Sequence, residues 1–172
     1  MRQAPRRQVG RRQLTAAETA AFPREEQRPD ETRGGRLGYW GVAMSHKDLV
    51  KRVISAVNER DVEAYLACCT DDIQLYSPVA LFTGPNEGAE GIRRFFQDIE
   101  DASPDFRLEL ERLELVGDQV LAFFKTHGSG RISGVPLDSE NAVVYDFADD
   151  RIKRVRIFSD RQEALETLGM RE

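Results

Sequence analysis

The chain has 172 residues, a net charge of −5 and 32% charged residues, enough for one domain plus an extension. Residues 1–43 hold nine arginines against five acidic residues, and the remainder holds 16 basic against 25 acidic. An acidic domain without a basic stripe speaks against a nucleic-acid partner, and no apolar run approaches the roughly 20 residues that span a bilayer.

Residues 1–43 carry few large apolar side chains and scattered Pro and Gly, so they bury too little surface to offset their ordering entropy. The reading is a disordered extension, with Met44-Ser45-His46-Lys47 as the natural start of a domain over 44–172. No apolar stretch of a secretory signal follows the arginines, and the adjacent Cys68 and Cys69 do not suit a disulfide. A cytoplasmic protein is expected.

Regular periodicity begins at Ser45, which caps a helix bearing Leu49, Val50, Val53, Ile54 and Val57 at helical spacing. Asn58 to Arg60 ends that helix. Asp61 caps a second one whose face holds Val62, Tyr65, Leu66 and Cys69, and both cysteines read as helix-core residues. Ile73, Leu75 and Ser77 alternate along a short strand that Pro78 terminates, because proline has no N–H to donate. A loop over 82–88 leads to a third helix with Ile92, Phe95, Phe96 and Ile99 on one side, closed by Ser103-Pro104.

Four strands and a last helix follow. Phe106, Leu108 and Leu110 sit on even positions, whereas Leu113 and Leu115 sit on odd ones. A period of two cannot change parity without an extra residue, so a β-bulge is predicted near Glu111-Arg112. Gly117-Asp118 turns the chain into Val120, Ala122, Phe124 and Thr126. A third long strand covers about 141–147, and Asp149-Asp150 turns it into a strand over 152–159. Arg161 to Leu168 forms a short closing helix, with Gly169 at its C′ position. Helices followed by a curved antiparallel sheet make an α+β layout.

Asp61-Val62-Glu63-Ala64, Thr70-Asp71-Asp72-Ile73, Gly88-Ala89-Glu90-Gly91-Ile92, Asp150-Arg151-Ile152 and Asp160-Arg161-Gln162-Glu163-Ala164-Leu165 stand in an order and spacing that resembles the SnoaL-like (polyketide cyclase-like) branch of the nuclear transport factor 2-like and ketosteroid isomerase-like superfamily. The resemblance covers about residues 46–169. It implies a cone: a strongly bent sheet that, with three N-terminal helices and a short C-terminal one, encloses a ligand-sized pocket. It also implies a homodimer through the convex face.

The family's reactive groups do not carry over. Against the isomerase, the oxyanion-binding tyrosine falls on Val53, the general base on Ser77 and the protonated aspartic acid on Val143. Against limonene epoxide hydrolase, the acid of the last strand falls on Ile157, which neither takes nor gives a proton. The histidine that many SnoaL-like proteins carry at the Val143 position is also absent.

With Ser77 and Val143 inward, period two adds Asn141 and Tyr145 to the same face. Val53, Val57, Cys69, Phe95, Phe96, Phe124, Thr126, Ile157 and Ser159 complete the expected pocket lining. Either these side chains frame a pocket for a hydrophobic small molecule, or the phenylalanines fill a core. Tyr145 is the weak catalytic candidate, as a phenol that donates to a carbonyl or enolate oxygen, with packing as its alternative role. His127 is expected on the outer face, as a surface or interface residue or as a proton shuttle with Asp146. Neither the cysteine spacing nor the two distant histidines makes a metal site, and no cofactor is expected. Two functions remain open: binding of a hydrophobic ligand, or a cyclase, isomerase or dehydratase acting on a cyclic or polyketide-like carbonyl compound.

Overall fold

The structure is a computed structural model and describes residues 44–78 and 83–170. The extension over 1–43 lies outside the described residues, as do 79–82, the loop residue Phe82 among them. The helices are α1 (His46–Glu59), α2 (Val62–Ala67), α3 (Gly88–Ala102) and α4 (Arg161–Thr167). The strands are β1 (Cys69–Tyr76), β2 (Asn86–Glu87), β3 (Arg107–Val116), β4 (Gln119–His127), β5 (Ser139–Ala148) and β6 (Arg151–Phe158). They form one curved sheet in the order β2-β1-β6-β5-β4-β3, an α+β architecture.

Local chemistry sets the helix ends. The Ser45 hydroxyl accepts from the Asp48 N–H, the Asp61 carboxylate from the Ala64 N–H, and the Asp160 carboxylate from the Gln162 N–H. Arg60 closes α1 in the left-handed conformation (φ 59°). Its guanidinium then donates to the carbonyls of Val57, Pro104 and Phe106 at 2.8, 3.2 and 3.1 Å, fastening α1 to the start of β3. Asn58 adds a two-point clasp: its Nδ2 donates to the Leu108 carbonyl at 2.9 Å, and its Oδ1 accepts from the Leu108 N–H at 2.8 Å.

The bulge falls where parity requires it. Leu110 pairs with Phe124 and Arg112 with Phe123, leaving Glu111 as the extra residue. A second register shift lies on the β5–β6 ladder between Asp146 and Phe147. Two features differ from the sequence reading. β1 pairs with β6 in parallel, so the sheet is not wholly antiparallel, and Asn86-Glu87 in the expected loop forms a short strand against β1.

Alternation divides the sheet between two cores. On the inner face α1, α2 and α3 pack over Leu75, Phe124, Val143, Tyr145 and Val155. On the outer face Ala164 and Leu165 of α4 join Leu121, Phe123, Ala142, Val144 and Phe158. Among the described residues no helix is long and apolar enough to cross a membrane.

Candidate functional site

The inner core is not completely filled. A cavity of about 290 Å³ lies between the helices and the concave side of the sheet. Val53, Ile54 and Val57 reach it from α1, Phe95 and Ile99 from α3, and Tyr65 from α2. The sheet supplies Phe124 and Thr126 from β4, Asn141, Val143 and Tyr145 from β5, and Val155 and Ile157 from β6. The alternate residues of one pleated strand share a face, so each strand offers a ready-made inward row.

Ten of the positions marked in the sequence therefore meet at one cavity: Val53, Val57, Ser77, Phe95, Phe124, Thr126, Asn141, Val143, Tyr145 and Ile157. Three do not. Cys69 is not on a helix, because α2 stops at Ala67, Cys68 caps it, and Cys69 opens β1 opposite Ile152. Phe96 packs against Tyr65, the rings in a T-shaped contact at 5.5 Å, and does not line the space. Ser159 lies past the end of β6 and is exposed.

The sequence reading missed Ile54, Tyr65, Leu75, Pro78, Ile99, Phe106, Leu108, Ser139 and Val155. Parity held the signal for several of them. Leu75 shares a face with Ser77, Ser139 with Asn141, and Val155 with Ile157, while Ile99 follows Phe95 by one helical turn. Tyr65 was visible on the apolar stripe of α2, without a sign that the stripe borders a void.

Polar groups on this lining are few and uncharged. The Asn141 Nδ2 donates to Thr126 Oγ1 at 2.8 Å and to Ser139 Oγ at 2.9 Å. Tyr65 and Tyr145 are buried and within electrostatic reach of each other and of Cys69. Burial first, and Cys69 second, push both phenols above their ordinary value, so each keeps its proton. Burial also pushes the Cys69 thiol up to about 12, which leaves it an inert packing group. Val53, Ser77, Val143 and Ile157 all border the cavity, and no Asp, Glu, His, Lys or Arg does so among the described residues.

His127 lies elsewhere, half-exposed on the other face. Its Nε2 meets Glu109 at 3.0 Å and its Nδ1 meets Asp138 at 3.2 Å. It does not pair with Asp146, which is held by Gln119 and by Arg156 toward the other end of β5. Among the described residues no three His, Cys, Asp or Glu side chains gather as metal ligands.

Comparison with known proteins agrees with this fold. An uncharacterised cystatin-fold protein of Novosphingobium aromaticivorans is 28% identical with a TM-score of 0.58, over 67% of this chain and 98% of that one. A nuclear transport factor 2-like protein of unknown function from Burkholderia pseudomallei is 17% identical with a TM-score of 0.61, over 73% and 98%. A proposed polyketide cyclase of Sinorhizobium meliloti is 24% identical with a TM-score of 0.53, over 64% and 93%. No functionally curated protein matches the sequence. The model of the SnoaL-like domain matches residues 50–155, more than half of the chain. This protein belongs to the SnoaL-like domain family.

Proposed function

We propose that the protein binds a hydrophobic small molecule in the cavity beneath its concave sheet. The observation that carries this reading is the lining: aliphatic and aromatic side chains, a few neutral hydrogen-bonding groups, and no acid or base at Val53, Ser77, Val143 or Ile157. An apolar void with a few oriented polar groups is the usual form of a small-molecule site. Cytoplasmic location and a homodimer through the outer sheet face belong to the same proposal and are supported by the family resemblance.

The test is retention of ligand. Gentle extraction of purified wild-type protein, read by mass spectrometry, is expected to release a neutral small molecule. Val143→Phe, which projects a larger ring into the void, should lose it while keeping a cooperative unfolding transition. Wild type and variant that carry the same extract would overturn the reading.

One observation favours a second reading, a cyclase, isomerase or dehydratase on a carbonyl substrate. Two protonated phenols, Tyr65 and Tyr145, border the same space, and phenols stabilise developing negative charge on an enolate oxygen. The Sinorhizobium meliloti neighbour is a proposed polyketide cyclase. On this reading Tyr145→Phe lowers turnover on the extracted compound while affinity stays within a few fold. Unchanged turnover removes Tyr145 from any catalytic role.

A further inference from the structure

Polarity varies along the cavity. On the inward row of β5, Asn141 and Tyr145 are four residues apart, about 13 Å at the rise of an extended strand, with Val143 between them. Register with β4 places Thr126 beside Ser139 and Phe124 beside Asn141, so the small polar groups collect at that end. Exposure identifies the mouth. Ser139 and Pro78 are exposed and Asn141 is half-buried, whereas Tyr65, Tyr145 and Leu75 are buried. The cavity thus has a polar mouth, an apolar shaft and a floor that carries two phenols.

The ends differ in what they offer. At the mouth both N–H groups of the Asn141 amide are spent on Thr126 and Ser139, which leaves Oδ1 to accept. At the floor the protonated phenols are donors, and among the described residues neither makes a hydrogen bond to protein. Nothing along the shaft balances a formal charge, and burying an unpaired ion is costly.

Building on the cavity as a ligand site, we propose that its occupant is an uncharged, elongated molecule spanning about 13 Å, with a hydrogen-bond acceptor such as a ketone leading toward Tyr65 and Tyr145 and a hydroxyl trailing at Asn141. Carboxylates, phosphates and ammonium compounds are excluded by the same lining.

Equilibrium dialysis of the full chain at neutral pH tests this with four probes: biphenyl, 4-acetylbiphenyl, 4-acetyl-4′-hydroxybiphenyl and biphenyl-4-carboxylate. The ketone should bind about fivefold tighter than biphenyl, as one neutral hydrogen bond provides, and the keto-phenol about fivefold tighter again. The carboxylate should be weaker than biphenyl by about tenfold or more. In the doubly substituted Tyr65→Phe, Tyr145→Phe protein the preference for the ketone over biphenyl should vanish. In Asn141→Ala only the gain from the hydroxyl should vanish. Should either variant fail to fold, the wild-type ranking alone decides. Equal affinity for biphenyl, ketone and keto-phenol would overturn the two-ended recognition and leave a plain apolar site. Tightest binding of the carboxylate would overturn it as well. Failure of all four probes to bind would remove the ligand-site reading itself, and this inference with it.

Discussion

A histidine held between two carboxylates behaves differently from one in water, and His127 is such a case. Its hydrogen bonds to Glu109 and then to Asp138 raise its pKa above the ordinary value. The imidazolium is favoured in the fold, so the stabilisation is complete below about pH 6.5 while the carboxylates are ionised, and it is lost as pH rises through the higher folded value. The pair is exposed and screened, so the effect on unfolding is small. The titration itself is the sharper readout. By NMR, His127 should titrate above 6.5, and Glu109→Gln should lower its pKa more than Asp138→Asn does. A reversed order would reassign the main partner. Single residues also mark what a sequence can reveal about the site. Val53, Ser77, Val143 and Ile157 were legible because each lies on a row whose parity or helical phase fixes its direction. Phe96 and Ser159 were not, because spacing marks an apolar face without telling which of its side chains borders a void, and β6 ends before Ser159.

Among the elements, turns and bulges were the most readable parts of the chain. The change of parity between Leu110 and Leu113 puts the bulge near Glu111-Arg112, and the ladder has it at Glu111. Asp149-Asp150 was legible as a turn, and both residues adopt positive φ, 50° and 58°. That conformation strains a side chain, although aspartate tolerates it better than most residues. Asp150→Gly should therefore stabilise the protein by about 0.5–1 kcal/mol, read as a raised urea midpoint with an unchanged slope. The long contact from Asp150 to His46, 3.9 Å at the surface, offers little to offset that gain. A lowered midpoint would show that the contact matters more than the turn. Strand partnership was not legible. Alternation in β1 tells which side chains face inward, but nothing in it specifies that β1 lies parallel to β6.

For the whole molecule, the cavity is a shared property of distant parts of the chain. Its walls come from α1, α2 and α3 and from five strands of the sheet, so none of it survives unfolding. A ligand that binds only the folded form must stabilise the entire domain. At a free concentration about 100-fold above Kd, 4-acetylbiphenyl should add about 2.7 kcal/mol to the unfolding free energy. Thermal melts at increasing probe concentration measure this, and a midpoint that does not move would show that the probe does not occupy the folded core. The clasp of Asn58 on Leu108 has a consequence at this scale too. β3 is the last strand on its side of the sheet, and its outward N–H and C=O groups are a template on which a foreign strand could continue the ladder. At Leu108 both groups are already taken by a side-chain amide that imitates a neighbouring strand. One asparagine thus serves as a stopper for the sheet, guarding the edge beside the cavity mouth against strand addition and aggregation.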